Sequence, residues 1–344
     1  MRRGTQRTRP APRTPRTPRA QRGAALLQAM LTVALVATFA AGAAWQQWRG
    51  IEVESAERQR QQATWVLSGA LDWARLILRE DARSGGADHL AEPWAIPLQE
   101  ARLSTFLAAE QGVATTGGDL DLPDVFLSGQ ITDLQSRLNL ANLASTRDDA
   151  EPAVGEFARL FERLGLPPEE LATLTAGLRA ASGVGSSGGA GGAGGSASNP
   201  TTAAGNAPLM PSRIEQLTWL GLSGPTLRAL APHVTLLPAT TPLNLNTASA
   251  EVIHAAAPAV SLADAQRLVA ERDRAHLRTL ADAAERLGLR DNPFPDTRFA
   301  VASRFFEVRG RLRSDGTVVE ERSLVRRDGL DVRVVWRERV AQPG

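Results

Sequence analysis

The chain is 344 residues long, with 39 arginines, 37 acidic residues, four histidines and no lysine, tyrosine or cysteine. This length allows one or two domains with their own cores, and the lack of cysteine excludes disulfide scaffolds and thiolate metal sites. Eight arginines and no acidic residue lie in residues 1–22; the other 31 arginines are outnumbered, which leaves a net charge of −6 on residues 24–344. The basic character therefore belongs to the N-terminal arm, and the rest of the chain lacks the positive charge that binds nucleic acids.

The arm is followed by an uncharged, mostly apolar run of 21 residues, 24–44. A helix of about 20 apolar residues spans a bilayer, and arginines beside it stay on the cytoplasmic side. We therefore predict an inner-membrane protein that crosses once, with a cytoplasmic N-terminus and its bulk in the periplasm. A signal-peptidase site at residues 41–43 (AGA), which would release a soluble periplasmic protein, is the alternative.

Apolar residues at steps of three and four continue the helical pattern beyond the membrane segment, from residue 63 to residue 78. The pattern predicts one stalk helix that runs to about residue 82 and ends at Gly85 or Gly86, because glycine allows a left-handed turn. We expect its surface for contact with other helices to consist of Val53, Ala56, Ala63, Val66 and Ala70.

The middle of the chain predicts a mixed segment followed by helices. A short helix is expected over residues 98–110 and one or two strands over residues 126–140, where polar and apolar residues alternate. Glycines between leucines at positions 165, 221 and 288 predict three helix ends, and the Gly/Ala/Ser-rich residues 182–205 predict a disordered loop. Six short amphipathic helices are predicted over residues 156–164, 168–179, 213–219, 224–231, 250–257 and 262–272.

The C-terminal region of the chain changes to the two-residue period of strands. It predicts a meander over residues 304–313, 317–327 and 330–339, because the Asp-Gly pairs at 315–316 and 328–329 favour tight turns. The stalk helix is the expected partner for the apolar face of this sheet. In the last strand the residues expected to share one face are Leu330, Val332, Val334 and Trp336.

Residues suited to catalysis are sparse. The four histidines, at positions 89, 233, 254 and 276, form no paired metal or nucleophile motif, so we predict that the chain is not an enzyme. Two acidic clusters are candidates for calcium, which takes about six to eight oxygen ligands; solvated charges that cap helices are the alternative interpretation. The clusters are Asp119, Asp121 and Asp124, and Asp291 with Asp296.

The clearest internal motif is residues 242–249, PLNLNTAS, which precede a predicted helix. Thr247 or Ser249 can cap this helix, and Asn244 and Asn246 can bond to neighbouring backbone. This sequence motif is typical of helix-hairpin-helix modules, so the alternative interpretation is a membrane-anchored DNA-binding protein. Such modules hold a phosphate on hairpin glycines, and the hairpin that follows here contains none.

Four stretches occur in a fixed order along the chain. They are RGAALL at residues 22–27; GQITDLQSRLNLANL at 129–143; NAPLMPSRIEQL at 206–217 with LAPHVTLLP at 230–238; and PLNLNTAS at 242–249 with SRFF at 303–306. Together they resemble the minor pseudopilin K family of type II secretion systems. The first is similar to a prepilin-peptidase site with cleavage between Gly23 and Ala24.

The resemblance implies an α+β pseudopilin fold. In it, a long N-terminal transmembrane and stalk helix packs on a small antiparallel sheet, with a large inserted all-α domain similar to SAM and helix-hairpin-helix domains. It implies a subunit that caps the tip of the periplasmic pseudopilus and helps to initiate its assembly, for export of folded proteins across the outer membrane. The implied partners are the minor pseudopilins I and J in a tip complex, the other pseudopilins, the inner-membrane platform and prepilin peptidase.

Two departures from common pseudopilin patterns are informative. After cleavage, Gln28 occupies position five, where most pseudopilins carry a glutamate that neutralises a neighbouring subunit's terminal amine; the K subunit lacks it. The family binds calcium, but two acidic stretches typical of it are replaced here by residues 178–181 (LRAA) and the loop, so we predict no cofactor.

These patterns divide the chain into five predicted segments. A leader (1–23) is removed, and a membrane and stalk helix follows (24–82). The pseudopilin α/β domain is built from two separate stretches of chain, an N-terminal one (83–142) and a C-terminal one with the meander (298–344). The inserted helical domain lies between them (143–297).

Overall fold

The computed structural model describes residues 22–104, 125–145, 150–183, 208–314 and 317–340. The chain divides into two compact units, residues 1–62 and residues 63–344. The predicted disordered loop lies outside the described residues from residue 184 onward.

Seven α-helices and nine strands occur in the described residues. The helices are α1 (Arg22–Ser84), α2 (Ala150–Leu164), α3 (Pro168–Ala181), α4 (Gly224–Leu230), α5 (Ala250–Ala256), α6 (Leu262–Arg272) and α7 (Leu280–Arg286). The strands are β1 (Leu98–Arg102), β2 (Val125–Asp133), β3 (Leu138–Asn139), β4 (Val234–Thr235), β5 (Leu243–Asn244), β6 (Phe299–Ala300), β7 (Phe305–Ser314), β8 (Thr317–Asp328) and β9 (Asp331–Val340). Short 3-10 helices lie at Pro93–Ala95, Leu134–Ser136, Leu140–Ala144 and Ile214–Leu220.

The long helix α1 contains the apolar run. Its side chains from residue 24 to residue 62 are all exposed. By length and composition it can cross a membrane, since an 18-residue window reaches a mean hydropathy of 2.0. The helix ends at Ser84 because Gly85 adopts a φ of 67°, and the Gly85 N–H donates to the Asp81 carbonyl at 3.1 Å.

Five antiparallel strands form the main sheet in the order β1-β2-β7-β8-β9. The residues of α1 from Ala63 onward pack on this sheet, with Leu71 and Leu78 against Phe306 and Val332. Gly310 permits the close approach, because a β-carbon there would lie 3.1 Å from Leu67 Cδ2. The predicted α+β class, with a long N-terminal helix on an antiparallel sheet, is confirmed.

Most of the other helices lie between β2 and β7 in the chain and share one core. Two short parallel pairs, β3 with β4 and β5 with β6, join the start of this region to its middle and its middle to its end. Gly165, Gly221 and Gly288 have φ values of 65°, 90° and 66°, so the three predicted helix ends are present. We refer to residues 134–302 as the helical domain.

Two predictions about local structure are wrong. Residues 98–102 form strand β1 rather than the start of a helix, because pairing with β2 overrides local preference. In β9, Val332 packs on the α1 side of the sheet, whereas Trp336 packs with Phe305 on the other side. The cause is a β-bulge at Val335, where the register with β8 shifts and the alternation of side chains reverses.

Candidate functional site

A buried polar cluster connects the sheet to the helical domain. We call it the polar junction, and each of its members is at most 8% exposed. The members come from the loop after α1, the end of β2, strand β5, the turn before β7 and the end of β8. In that order they are Asp88, Asp133, Asn244, Ser303 and Arg327.

Asp133 is the central acceptor of the polar junction. Its Oδ2 accepts hydrogen bonds from Thr247 Oγ1 at 2.5 Å, Ser303 Oγ at 2.7 Å and Asn244 Nδ2 at 3.0 Å. Its Oδ1 accepts from the Gln135 N–H at 2.8 Å. Burial raises the pKa of Asp133 to about 6, although the hydrogen bonds, which favour the charged form, act in the opposite direction. At neutral pH this carboxylate is thus ionised in the interior and held by four donors.

Arg327 supplies the positive charge of the polar junction. Its Nη1 donates to Asp81 Oδ2 at 2.6 Å, and its Nη2 donates to Asp88 Oδ2 at 2.6 Å and to the Ser303 carbonyl at 2.9 Å. Asp88 also accepts from the Ser303 N–H at 2.5 Å. Burial raises the pKa values of Asp81 and Asp88 and outweighs the attraction of Arg327. The arginine therefore joins α1, the loop that follows it and the chain entering β7.

The polar side chains of residues 242–249 divide between the polar junction and local bonds. Asn244 Nδ2 donates to the Ser303 Oγ at 2.9 Å and to the Asp88 carbonyl at 3.2 Å. Asn246 exchanges two hydrogen bonds with the Leu277 backbone, at 2.9 and 2.8 Å. Ser249 is the N-cap of α5, and the Thr247 hydroxyl binds Asp133.

Residues 135–142 fasten the segment that leads into β5. Gln135 Nε2 donates to the Pro242 carbonyl at 3.1 Å, and its Oε1 accepts from the Arg304 N–H at 2.7 Å. Asn139 Nδ2 donates to the Ala239 carbonyl at 2.7 Å. Asn142 exchanges two hydrogen bonds with the Thr241 backbone, at 3.0 and 3.1 Å. The start of the helical domain is thereby bonded to its middle and to the residue that precedes β7.

The polar junction has a structural role: it holds the sheet, the loop after α1 and the helical domain together. Its members are buried, and their polar groups are bonded to one another rather than offered to a substrate. A fully bonded polar network of this kind specifies one arrangement of the elements it joins, because each buried group that loses its partner is costly.

The predicted site residues other than Asn244, Asn246 and Thr247 lie elsewhere. The proposed cleavage residues and the position-five residue lie at the start of α1: Gly23, Ala24 and Gln28. The first calcium cluster, Asp119, Asp121 and Asp124, lies outside the described residues. Asp291 and Asp296 are exposed, and neither belongs to the acidic group found in the described ranges of the chain.

That acidic group is Asp81, Asp88 and Glu92, whose carboxylate oxygens lie within 4.8 Å of one another. Arg327 pairs with the two aspartates, and Glu92 accepts hydrogen bonds from the His89 N–H at 2.8 Å and from Trp94 Nε1 at 2.7 Å. A cation at this position would have to displace Arg327. The geometry therefore favours an ion-pair network over a metal site.

Sequence reasoning missed Asp88 and Arg327 because 239 residues separate them. One signal was available. Arg327 follows Val325 by two residues in a predicted strand, so it lies on the apolar face, where a charge requires a buried partner.

The predicted helix-contact surface of the stalk is wrong for three of its five residues. Ala63, Val66 and Ala70 pack on the sheet of the same chain, because the helical period places them beside Leu67. Val53 and Ala56 are exposed. On the opposite face of residues 63–84, Trp65 is 79% exposed and Leu76 is 53% exposed.

Comparisons with known proteins agree with one another. Two family models, both described as type II secretion system protein K, match residues 136–239 and 243–302. Type II secretion system protein K of Pseudomonas aeruginosa is 29% identical over 247 residues, which cover 68% of this chain and 67% of that protein. A chain in the crystal structure of the GspK-GspI-GspJ complex from the enterotoxigenic Escherichia coli type 2 secretion system aligns with a TM-score of 0.61 and 19% identity, covering 83% of this chain and 99% of that one.

Proposed function

Because the chain belongs to the type II secretion system protein K family, we propose that it is a non-enzymatic minor pseudopilin that caps the tip of the periplasmic pseudopilus and helps to initiate its assembly. The pseudopilus serves the export of folded proteins across the outer membrane. One observation carries the proposal: the helical domain is inserted between β2 and β7, which are neighbouring strands of the sheet that packs on α1.

The inserted domain supports a position at the end of a filament. A helix with a small sheet can repeat along a fibre, because each subunit adds little width beside its helix. Residues 134–302 add a second core of their own, which the polar junction holds at the ends of the inner strands β2, β7 and β8. That bulk would obstruct the addition of a further subunit above this one.

The N-terminus supports assembly from the membrane. We place residues 24–44 across the inner membrane, with the arginine-rich arm in the cytoplasm and the rest in the periplasm. Prepilin peptidase would cut after Gly23 and leave Ala24 as an N-methylated first residue. Gln28 carries no charge to neutralise the terminal amine of another subunit, which fits a subunit with none above it.

The proposed partners are the minor pseudopilins I and J, the other pseudopilins and the inner-membrane platform. The structural relative was solved in a complex with GspI and GspJ. Helix packing requires exposed apolar side chains, and α1 offers a series of them outside the membrane segment. They include Trp45, Trp48, Ile51, Val53, Trp65 and Leu76.

The mature N-terminus tests the class. Mass spectrometry of the protein from membranes of cells with and without prepilin peptidase should show a peptidase-dependent start at Ala24. Gly23→Val should block this cleavage, whereas Gly42→Val, at the alternative site, should leave it unchanged. A start at Ala44 or Trp45, or an intact Met1 in both strains, would contradict the filament mechanism.

The position in the filament needs a second experiment. Immunogold labelling of sheared pseudopili through a C-terminal epitope tag should mark one end of each filament. Cells that lack the chain should assemble fewer pseudopili, and the tagged chain should restore their number. Gold distributed along the filament length would contradict the capping role even if the N-terminus is processed as expected.

A further inference from the structure

A cleft of about 660 Å³ lies within the helical domain. We call it the Arg137 cleft. Its walls come from β3 and the 3-10 helix after it, from the first turns of α2, and from the residues that precede β5 and β6. The polar side chains that line it include Arg137, Asn142, Glu156, Thr240, Thr297 and Arg298.

Most of these polar groups already have partners within the protein. Arg298 Nε donates to Glu156 Oε1 at 2.6 Å, and its Nη2 donates to the Ala256 carbonyl at 2.5 Å. Asn142 is held by the Thr241 backbone through its two hydrogen bonds. These contacts fix the walls of the cleft without a ligand.

Arg137 is the exception among the charged residues that line the cleft. It is half-buried, and it makes neither a hydrogen bond nor an ion pair with any residue in the described ranges. Burial lowers its pKa and Arg309 adds to this effect, while the carboxylates of Glu307 and Asp133 act in the opposite direction. A guanidinium nevertheless remains charged at neutral pH and presents five N–H donors. Because these donors have no hydrogen-bond partner in the described residues, an anion in the cleft could bind them and offset the cost of the partial burial.

The lining selects the kind of anion. The two arginines and Glu156 give the cleft a formal charge of one positive unit, which a single carboxylate neutralises and a doubly charged phosphate exceeds. None of the lining residues that the structure describes is aromatic, so among them a nucleobase or a flat cofactor finds no ring to stack on. The hydroxyls of Thr240 and Thr297 offer hydrogen bonds of the kind that a peptide backbone uses.

We propose that the Arg137 cleft binds a peptide segment of a partner protein through one acidic side chain, whose carboxylate pairs with Arg137. A volume of about 660 Å³ exceeds what an isolated carboxylate fills and lies within the range of about 300–1,000 Å³ for ligand clefts. The planar guanidinium matches a carboxylate with two parallel hydrogen bonds. Recognition would then combine this pair with contacts to the chain on either side of the acidic residue.

The test uses the full-length mature protein in detergent micelles and two fluorescein-labelled pentapeptide mixtures. One mixture has Glu fixed at the central position and the other has Gln; the remaining positions are randomised among Ala, Ser, Asn and Gly. By fluorescence anisotropy, the wild type should bind the Glu mixture at least tenfold more tightly than the Gln mixture. Arg137→Gln should abolish this preference, and Arg137→Lys should retain a fraction of it.

Arg311→Gln is the matched control, because it removes the same charge from an exposed position on β7. It should leave the preference for Glu unchanged. Thermal unfolding checks the fold: since Arg137 has no hydrogen-bond or ion-pair partner in the described residues, Arg137→Gln should not lower the wild-type midpoint. Equal affinities for the two mixtures, or a preference that survives in Arg137→Gln, would overturn the proposal. Acetate that competes as tightly as the Glu mixture would overturn its peptide component.

Discussion

Raising the pH from about 4 to about 7 should weaken the fold through Asp133. Its pKa is about 6 in the folded protein against an ordinary 3.8, so the folded state binds this proton more tightly than the unfolded state. The stabilisation is fully present below the unfolded pKa and is lost as the pH rises through the folded pKa. A shift of about two pKa units, at about 1.4 kcal/mol each, corresponds to about 3 kcal/mol in full. About 2.5 kcal/mol of it is lost between pH 4 and pH 7, because pH 4 already lies just above the unfolded pKa.

The measurement is urea unfolding of the full-length protein in detergent micelles, followed by tryptophan fluorescence between about pH 4 and pH 7. Burial also raises the pKa values of Asp81 and Asp88, so wild type must be compared with Asp133→Asn at each pH. The stability of wild type relative to Asp133→Asn should fall by about 2.5 kcal/mol across this range. Asp291→Asn, which makes the same change at an exposed side chain, is the matched control. An Asp133→Asn difference that is flat, or that grows with pH, would refute the reasoning.

Three further outcomes follow from the structure. Arg327→Met leaves Asp81 and Asp88 without their buried partner and should lower the free energy of unfolding by about 3–5 kcal/mol. A double-mutant cycle that combines it with Asp88→Asn should show coupling between the two residues, and additive losses would contradict the ion pair. Gly221→Ala should lower the free energy of unfolding by about 2 kcal/mol or more, because φ is 90° and the new β-carbon would lie 2.7 Å from Thr173 Cγ2. Gly165→Ala, at a φ of 65° with nothing within 4 Å of the new β-carbon, should lower it by about 1 kcal/mol. Equal losses at the two glycines in chemical unfolding would contradict this steric difference. The mature chain, with its net charge of −6, should not shift duplex DNA in a gel at low salt, and a salt-dependent shift would support the alternative function of DNA binding.

Local patterns in the sequence predicted much of the secondary structure. Helix α6 begins and ends at the predicted residues, because Ser261 and the apolar period mark its start and its buried face. The three C-terminal strands lie within one residue of their predicted bounds, because turn residues separate runs of alternating character. These features depend on residues that are close in the chain, which is why a single sequence contains them.

Predictions failed where distant residues decide the outcome. Residues 98–102 form a strand because they pair with β2, and 22 residues separate the end of β1 from the start of β2. A local pattern in the sequence does not reveal a partner at that distance. The bulge at Val335 changes which face Trp336 occupies without any glycine or proline to mark it. Three of the five residues predicted for the stalk surface pack instead on the sheet of this chain, because the same apolar stripe fits either a sheet or another helix.

The polar junction shows the same limit in a more specific form. The sequence indicated that Asn244 and Asn246 bond to backbone, and Asn246 does so through Leu277. Asn244 also bonds to backbone, at the Asn246 N–H and the Asp88 carbonyl. Its side-chain partners, however, are Asp133 and Ser303, which lie 111 and 59 residues away in the chain. No local pattern specifies such a partner. What the sequence does contain is polar residues set between leucines, as in Leu243-Asn244-Leu245-Asn246. Because buried polar groups need hydrogen-bond partners, such a pattern indicates a buried network.

The two ends of the helical domain meet at one point, which explains why this network is placed there. The chain leaves the sheet after Asp133 and returns through Ser303, and these two side chains hydrogen-bond at 2.7 Å. Arg327 from β8 and Asp88 from the loop after α1 bind the same serine. Apolar packing alone permits small shifts, because it is not directional, whereas buried donors and acceptors are satisfied in one arrangement only. The helical domain is therefore held at a fixed orientation to the sheet and to residues 63–84 of α1, and a change in any member of the polar junction should loosen both ends of the domain together.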